Sequence, residues 1–161
     1  MTDTGYVYLT PDGKSRMDEE LKRLKTVDRP QVVREIGHAR DHGDISENAE
    51  YHAAKEKQVL VERKIAELED KLARVRIIDP GTVVGDRALL LCFVKVRDLK
   101  SNEEIRYQLV SAEEADFDAD RISVQSPVGR ALLGTSKGDR VTVRVPAGEI
   151  TYDILDIELP G

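Results

Sequence analysis

YHAAKEKQVLVERKIAELEDKLARVR (residues 51–76) decides how the rest of the chain must be read. Tyr51, Ala54, Gln58, Val61, Ile65, Leu68, Leu72 and Val75 are separated by alternating steps of three and four, the repeat of a coiled-coil seam. Glu, Lys and Arg fill the positions between them, as a solvated helix surface requires. Glu47 stands one step earlier on the same seam. A helix from about residue 47 to 76 would be about 45 Å long. One apolar stripe of that length cannot bury itself, so the helix needs a partner.

The partner lies upstream. Met17, Leu21 and Leu24 recur at helical spacing, as do Val32, Ile36 and Ala39. The two sets are out of phase, because Leu24 and Val32 are eight residues apart, and Pro30 falls in the gap. Proline removes a helical hydrogen bond and crowds the preceding turn, so a break or kink is expected between Thr26 and Pro30. Thr10 before Pro11 reads as an N-cap with proline at the first helical position. Gly43 reads as the stop of the first arm, and a short turn at 43–46 would set the two arms antiparallel.

Pro80-Gly81 ends the helical pattern. Residues 89–98, 103–110, 121–125, 139–145 and 149–158 then read as strands. Val141, Val143 and Val145 alternate with Thr142 and Arg144, as on a half-buried strand. SPVGRALLG reads as one short helix, with Ser126 as N-cap, Pro127 at the first position and Gly134 as the stop. The expected fold is α+β: an antiparallel coiled-coil hairpin over 1–79, with its tip at about 41–50, and a domain of antiparallel sheet with a short helix over 80–161.

Composition narrows the function. Of 161 residues, 35% are charged and 4% aromatic, there is no Trp, and the formal net charge is −6. Non-specific nucleic-acid binding needs a basic face to displace counterions, so the chain is a poor stand-alone candidate. The single cysteine, Cys92, excludes a disulfide framework and a zinc site built on cysteines. It reads as a small hydrophobe within ALLLCFV. The opening MTDTGYVYLTPDG has no basic n-region and no apolar h-region. The longest apolar run, 88–94, is too short to span a bilayer. A cytoplasmic location, with no membrane partner, is expected.

The chemistry concentrates in DHGDISENAEYHAAKE (residues 41–56). Asp44 and Glu47 admit two readings. Asp-x-x-Glu at a helix start is a capping-box pattern, and both charges would meet the positive end of the helix dipole. The same two carboxylates at a hairpin tip could instead hold a divalent cation. Mg²⁺ commonly takes one or two carboxylates and completes its octahedron with phosphates and water. A bare tip would hold such an ion weakly, so the pair would act only beside a partner that supplies the other ligands. His38, His42 and His52 lack metal-site spacing and read as surface histidines. No phosphate loop, nucleophile elbow or Cys–His pair is present, so no self-contained active site is expected. Arg40 and Lys55 lie near the tip on opposite arms, where they could steer a polyanion toward it.

ARDHGDISENAEYHAAKE, LTPDGKSRMDEELKRLKTVDRP, ISVQSPVGRALLG and GDRVTVRVPAGEITYDILDIE together resemble the Gre family of bacterial transcript cleavage factors. The resemblance runs over nearly the whole chain from Leu9 to Glu158, and its tip motif is the most specific part. It implies a coiled coil joined to an FKBP-like domain, and RNA polymerase as the partner. By that resemblance the C-terminal domain docks at the rim of the polymerase secondary channel, through the segment holding Ser126, Pro127 and Arg130. The hairpin enters the channel. Asp44 and Glu47 match the paired tip acids that help hold the second Mg²⁺ of the polymerase and orient the attacking water. Arg40 and Lys55 match the basic positions assigned to the 3′ portion of the nascent RNA. The polymerase then cuts its own backtracked transcript and arrested complexes are rescued. The factor itself would be a monomer that binds no cofactor alone and has no stand-alone activity.

Three other readings share parts of this pattern. A Gre-like inhibitor would occupy the same channel, although a differently charged tip is expected there. A prolyl isomerase or chaperone needs an aromatic-lined pocket, and after Gly81 only Phe93, Tyr107, Phe117 and Tyr152 are aromatic. A structural adaptor would use the tip acids as caps alone.

Overall fold

The computed structural model of the protein describes residues 5–41 and 48–160. The chain divides into two compact units, one holding Lys14–Arg76 with the residues up to Val7, the other Tyr8–Gly13 and Ile77 onward. No described helix is long and apolar enough to cross a membrane.

The first unit is built on three helical stretches. Helix α1 (Pro11–Arg23) runs through a π-helical segment (Leu24–Asp28) into α2 (Arg29–Arg40), and α3 (Ala49–Ala73) follows. Where a break or kink was expected at Thr26–Pro30, the helix runs on without a gap through the π-helical segment. At about 100° per residue, eight residues overshoot two turns by about 80°, and the wider π turn takes up that excess. The Arg29 N–H accordingly donates to Leu24 O, five residues back. The widened turn also relieves the crowding that Pro30 would impose. Leu24 and Val32 thus return to one face, and both are buried.

Ion pairs cross between the arms, among them Lys25 with Glu69 (2.7 Å), Arg29 with Glu62 (2.8 Å) and Glu35 with Lys57 (3.2 Å). Numbers rise on one arm as they fall on the other, so the arms are antiparallel. Val32, Ile36 and Ala54 form the centre of the seam, with Tyr51 and Val61 packed against it. The seam read from the sequence holds as far as Leu72. Beyond it the helix stops at Ala73, and Val75, expected on the helix, belongs instead to strand β2 (Val75–Ile77). Strand β1 (Val7–Leu9), also unforeseen, joins β2 in a two-stranded ribbon.

The second unit contains β3 (Phe93–Asp98), β4 (Glu104–Val110), β5 (Arg121–Ser123), α4 (Pro127–Leu132), β6 (Arg140–Val145) and β7 (Gly148–Glu158). The sheet order is β5-β4-β3-β7-β6. Pairing is antiparallel across β4, β3, β7 and β6, whereas β5 joins β4 in parallel at the edge. The expected antiparallel sheet therefore gains one parallel edge, because the turn Phe117–Ala119 and the preceding Ala112–Glu114 bring the chain round before β5. Residues 89–92, read as the start of a strand, form a turn with Leu91 at φ 77°. Ala88, Val94, Val96, Leu109, Leu132 and Ile154 lie in the core, and Leu132 brings α4 onto it. On β6, Val143 is buried while Thr142 and Arg144 are exposed, as the alternation requires.

Candidate functional site

The arms of the hairpin end at Arg40 and restart at Ala49. Asp41 caps α2, its N–H donating to His38 O (3.2 Å). Asn48 caps α3: its Oδ1 accepts from the Tyr51 N–H (3.2 Å) and its backbone is extended. The same side chain donates through Nδ2 to Ala39 O (2.6 Å). One amide thus satisfies an orphan donor at the start of α3 and an orphan carbonyl at the end of α2. Capping by Asp44, of a helix running from about residue 47, was one of the two readings of the tip acids. The helix instead begins at Ala49 and its cap is Asn48. Asparagine directly before the periodic seam was the signal for this; the Asp-x-x-Glu pattern drew the reading four residues early. Asp44 and Glu47, with the Gly43 stop and the 43–46 turn, lie outside the described residues.

Arg40 is the last residue of α2 and is exposed. Lys55 is exposed in the second turn of α3, where its Nζ donates to Gln58 Oε1 (3.1 Å). Among the described residues no hydrogen bond joins Arg40 to Lys55, yet they share a side. Arg40 follows Arg29 by eleven residues, about three turns, and Lys55 precedes Glu62 by seven, about two turns. Arg29 and Glu62 are bonded across the seam through Nε and Nη2 (2.8 Å each). The two cations therefore flank the seam on the Arg29–Glu62 side. The opposite side carries the Glu35–Lys57 pair and a shallow groove of about 270 Å³, rimmed by Glu35, His38, Glu50 and Lys57. The hairpin near its tip thus has a basic side and a mixed, more acidic one. The Arg29 hydrogen bond holds Glu62 below its ordinary carboxylate range, and Glu62 raises Arg29 in turn.

In the second unit, Ser126 is the N-cap of α4, as its sequence predicts. Its Oγ accepts from the Gly129 N–H (3.1 Å) and donates to Ser123 O (2.6 Å). Gly129 has no alternative, because a Cβ there would overlap the Ser123 carbonyl oxygen. Pro127 is exposed at the first helical position, and exposed Arg130 donates from Nε to Gln125 O (2.9 Å). The cap is Leu133, and Gly134 follows it with φ 83°. Ser126, Pro127 and Arg130 are thus presented on one fixed turn.

Glu114 carries no signal along the sequence. It is buried, and its carboxylate accepts from the Thr10 N–H (2.9 Å), the Thr10 hydroxyl (2.8 Å) and Arg121 Nη2 (3.3 Å). Thr10 caps α1 as expected, its Oγ1 accepting from the Gly13 N–H (3.0 Å). Gly13 is needed because a Cβ would come within 2.5 Å of Glu114 Cδ. Burial, with the Tyr152 hydrogen bond second, pushes the Tyr107 hydroxyl well above its ordinary range, so it stays protonated and offers no base. Among the described residues no group of three or more His, Cys, Asp or Glu could hold a metal, and Cys92 is a buried thiol.

Comparison with known proteins gives a consistent result over both units. Residues 7–77 match the family model "Transcription elongation factor, N-terminal", and residues 83–159 match "Transcription elongation factor, GreA/GreB, C-term". The chain is 55% identical to "Transcription elongation factor GreA" of Chlorobaculum parvum, over 94% of this chain and 96% of the relative. It is 51% identical to the protein of that name from Rhodospirillum rubrum, over 91% and 93%. A solved structure, GreA factor homolog 1 (Gfh1) of Thermus thermophilus, is 29% identical over 95% of this chain and 99% of that one, with a TM-score of 0.45. With a capped helical hairpin followed by a sheet domain, and both halves matched by the corresponding models, the chain belongs to the GreA/GreB family of transcription elongation factors.

Proposed function

We propose that this protein binds RNA polymerase, inserts its hairpin into the secondary channel and stimulates the polymerase's own cleavage of backtracked nascent RNA. The observation that carries the mechanism is the Asn48 cap. Because Asn48 caps the first turn of α3 and ties it to Ala39, the capping role is filled by another side chain, which supports reading Asp44 and Glu47 as metal ligands. Carboxylates are the hard oxygen donors that Mg²⁺ favours, and two of them leave its octahedron incomplete. The missing ligands would come from the polymerase and the RNA phosphate, which accounts for a factor with no activity of its own.

When bound in the polymerase centre, Mg²⁺ supplies Lewis-acid polarisation of the scissile phosphate and acidifies the attacking water. Asp44 and Glu47 would supply oxygen ligands to it and orient that water. Arg40 and Lys55, together on one side of the seam, hold the phosphates of the displaced 3′ segment. The fixed turn bearing Ser126, Pro127 and Arg130 docks the sheet domain at the channel rim. Acting on polymerase, the factor works in the cytoplasm, one copy per enzyme.

The test is a purified polymerase stalled in a backtracked complex, supplied with Mg²⁺ and the protein. Wild type shortens the RNA; Asp44→Asn and Glu47→Gln abolish shortening while still competing for the polymerase. Arg40→Ala with Lys55→Ala raises the concentration needed. Unchanged cleavage in both acid variants removes the metal-ligand role. If wild type slows synthesis and cleavage alike, the protein is a channel inhibitor instead.

A further inference from the structure

The stretch EEADFDADR (residues 113–121) puts the most exposed large hydrophobic side chain of the described residues on a loop closed by paired backbone hydrogen bonds. Phe117 is 85% exposed. The other phenylalanine, Phe93, is half-buried and lies under the Arg106 guanidinium, 3.8 Å from its ring centre. A loose loop could fold its ring inward. This one cannot, because Asp116 and Arg121 exchange both backbone hydrogen bonds at its base (2.8 and 2.9 Å). Asp116 Oδ1 accepts from the Asp118 N–H (3.2 Å), and Asp120 closes the turn with φ 55°. Beneath it, buried Glu114 accepts from Thr10 and Arg121.

The surroundings of the ring define what it would fit. Ala115 and Ala119 are exposed and small, so nothing shields it. Asp116, Asp118 and Asp120 are exposed around it. An aromatic knob with an acidic collar complements an apolar pocket rimmed by Lys or Arg. Buried aromatic anchors carry much of the energy of protein interfaces, and complementary charge steers the encounter. The turn is also continuous with the docking segment. Strand β5, three residues long, leads from it toward Ser126.

We propose that Phe117 is an aromatic anchor by which the sheet domain docks on RNA polymerase, entering an apolar pocket with a basic rim. This rests on the polymerase reading above. The ring and the Ser126–Arg130 turn would then grip the same partner from the two ends of β5. A second copy of this chain is the poorer occupant, since two acidic collars and a net charge of −6 on each chain oppose self-association.

The experiment measures the dissociation constant of full-length protein for core polymerase at low and moderate salt, with RNA cleavage at limiting and saturating factor. Phe117→Ala should weaken binding roughly tenfold or more, leave the circular dichroism spectrum and unfolding midpoint unchanged, and recover full cleavage at saturation. Asp118→Lys should weaken binding less and reduce its dependence on salt. Wild-type affinity in Phe117→Ala would overturn the anchor alone. A wild type that does not bind polymerase would sink the reading on which the anchor rests. Dimerisation of wild type that Phe117→Ala abolishes, with polymerase affinity unchanged, would assign the ring to a second copy and also overturn the proposal.

Discussion

The hairpin and the sheet domain solve the burial problem in opposite ways. The hairpin has one narrow seam, with Leu24, Val32, Ile36, Ala39, Ala54 and Ile65 buried to 9% exposure or less and partial cover at Tyr51, Val61 and Leu68. Its cross-arm ion pairs sit on the surface, where such pairs add little stability and mainly fix which residues face each other. The sheet domain instead closes over Val94, Val96, Leu109 and Leu132, all with no exposed surface. The hairpin thus has little core volume, and the sheet domain has most of the fully buried side chains. Each residue of the seam has fewer neighbours to lose, but the arm has fewer residues to share the loss.

That contrast can be broken from its strongest side first. Leu109→Ala should cost about 3–4 kcal/mol and Ile65→Ala about 2–3 kcal/mol, because a half-open seam collapses around the missing methyls more readily than a closed core. Urea unfolding of each variant checks the order, and a larger loss at Ile65 would reverse the comparison. Glu114→Ala should cost about 2–3 kcal/mol, since the Thr10 amide and hydroxyl and the Arg121 guanidinium lose their acceptor. The same unfolding curves report it. Asn48→Ala should cost about 1–2 kcal/mol, seen as earlier fraying of α3 in amide hydrogen exchange with the sheet domain unaffected.

The smallest effect is pH dependence, and it separates the two regions by residue. The Arg140 hydrogen bonds (2.7 and 3.3 Å) hold Asp153 below its ordinary range, as Arg29 does for Glu62. A carboxylate depressed in the folded state contributes its full stabilisation above its unfolded pKa, about 4. That contribution is lost as pH falls through the lower, folded value. Asp153→Asn should flatten the acid limb of the sheet domain's stability profile, and Glu62→Gln that of the hairpin. Titrating the unfolding midpoint from neutral to acid pH distinguishes them.

Much of this molecule is legible in its residues. The 3–4 spacing of the seam, the caps at Thr10 and Ser126 and the alternation on β6 each stand in the structure where the sequence places them. The eight-residue interval at Leu24–Val32 was visible, but its resolution was not. A break and a π turn are both answers to the same phase error, and only packing against α3 favours the one that keeps Leu24 on the seam. The Asp153–Ile157 segment shows the same limit. A register shift between β3 and β7 lies behind its change from two-residue to three-residue spacing at Ile154 and Ile157.

At the candidate site, Arg40 and Lys55 could be placed on opposite arms from sequence. Their position on one side of the seam needed the Arg29–Glu62 bond to fix how the helices face each other. Asn48 shows why the cap was misread. An N-cap is a local signal, and two candidates four residues apart carry it equally well. The bond from Asn48 to Ala39, nine residues away across the tip, breaks the tie.

By itself the sequence determined much that is governed by neighbours within about one turn or one pleat: the seam period, the alternation on β6 and the caps at Thr10 and Ser126. The tertiary structure decided what depends on residues distant along the chain. These are the π turn that rephases the seam, the parallel edge strand β5, and Glu114 reaching back 104 positions to Thr10. Local periodicity is set by backbone geometry that each segment carries with it. The partner of a buried carboxylate is set by which surfaces the folded chain brings together, and no spacing along the sequence encodes that distance.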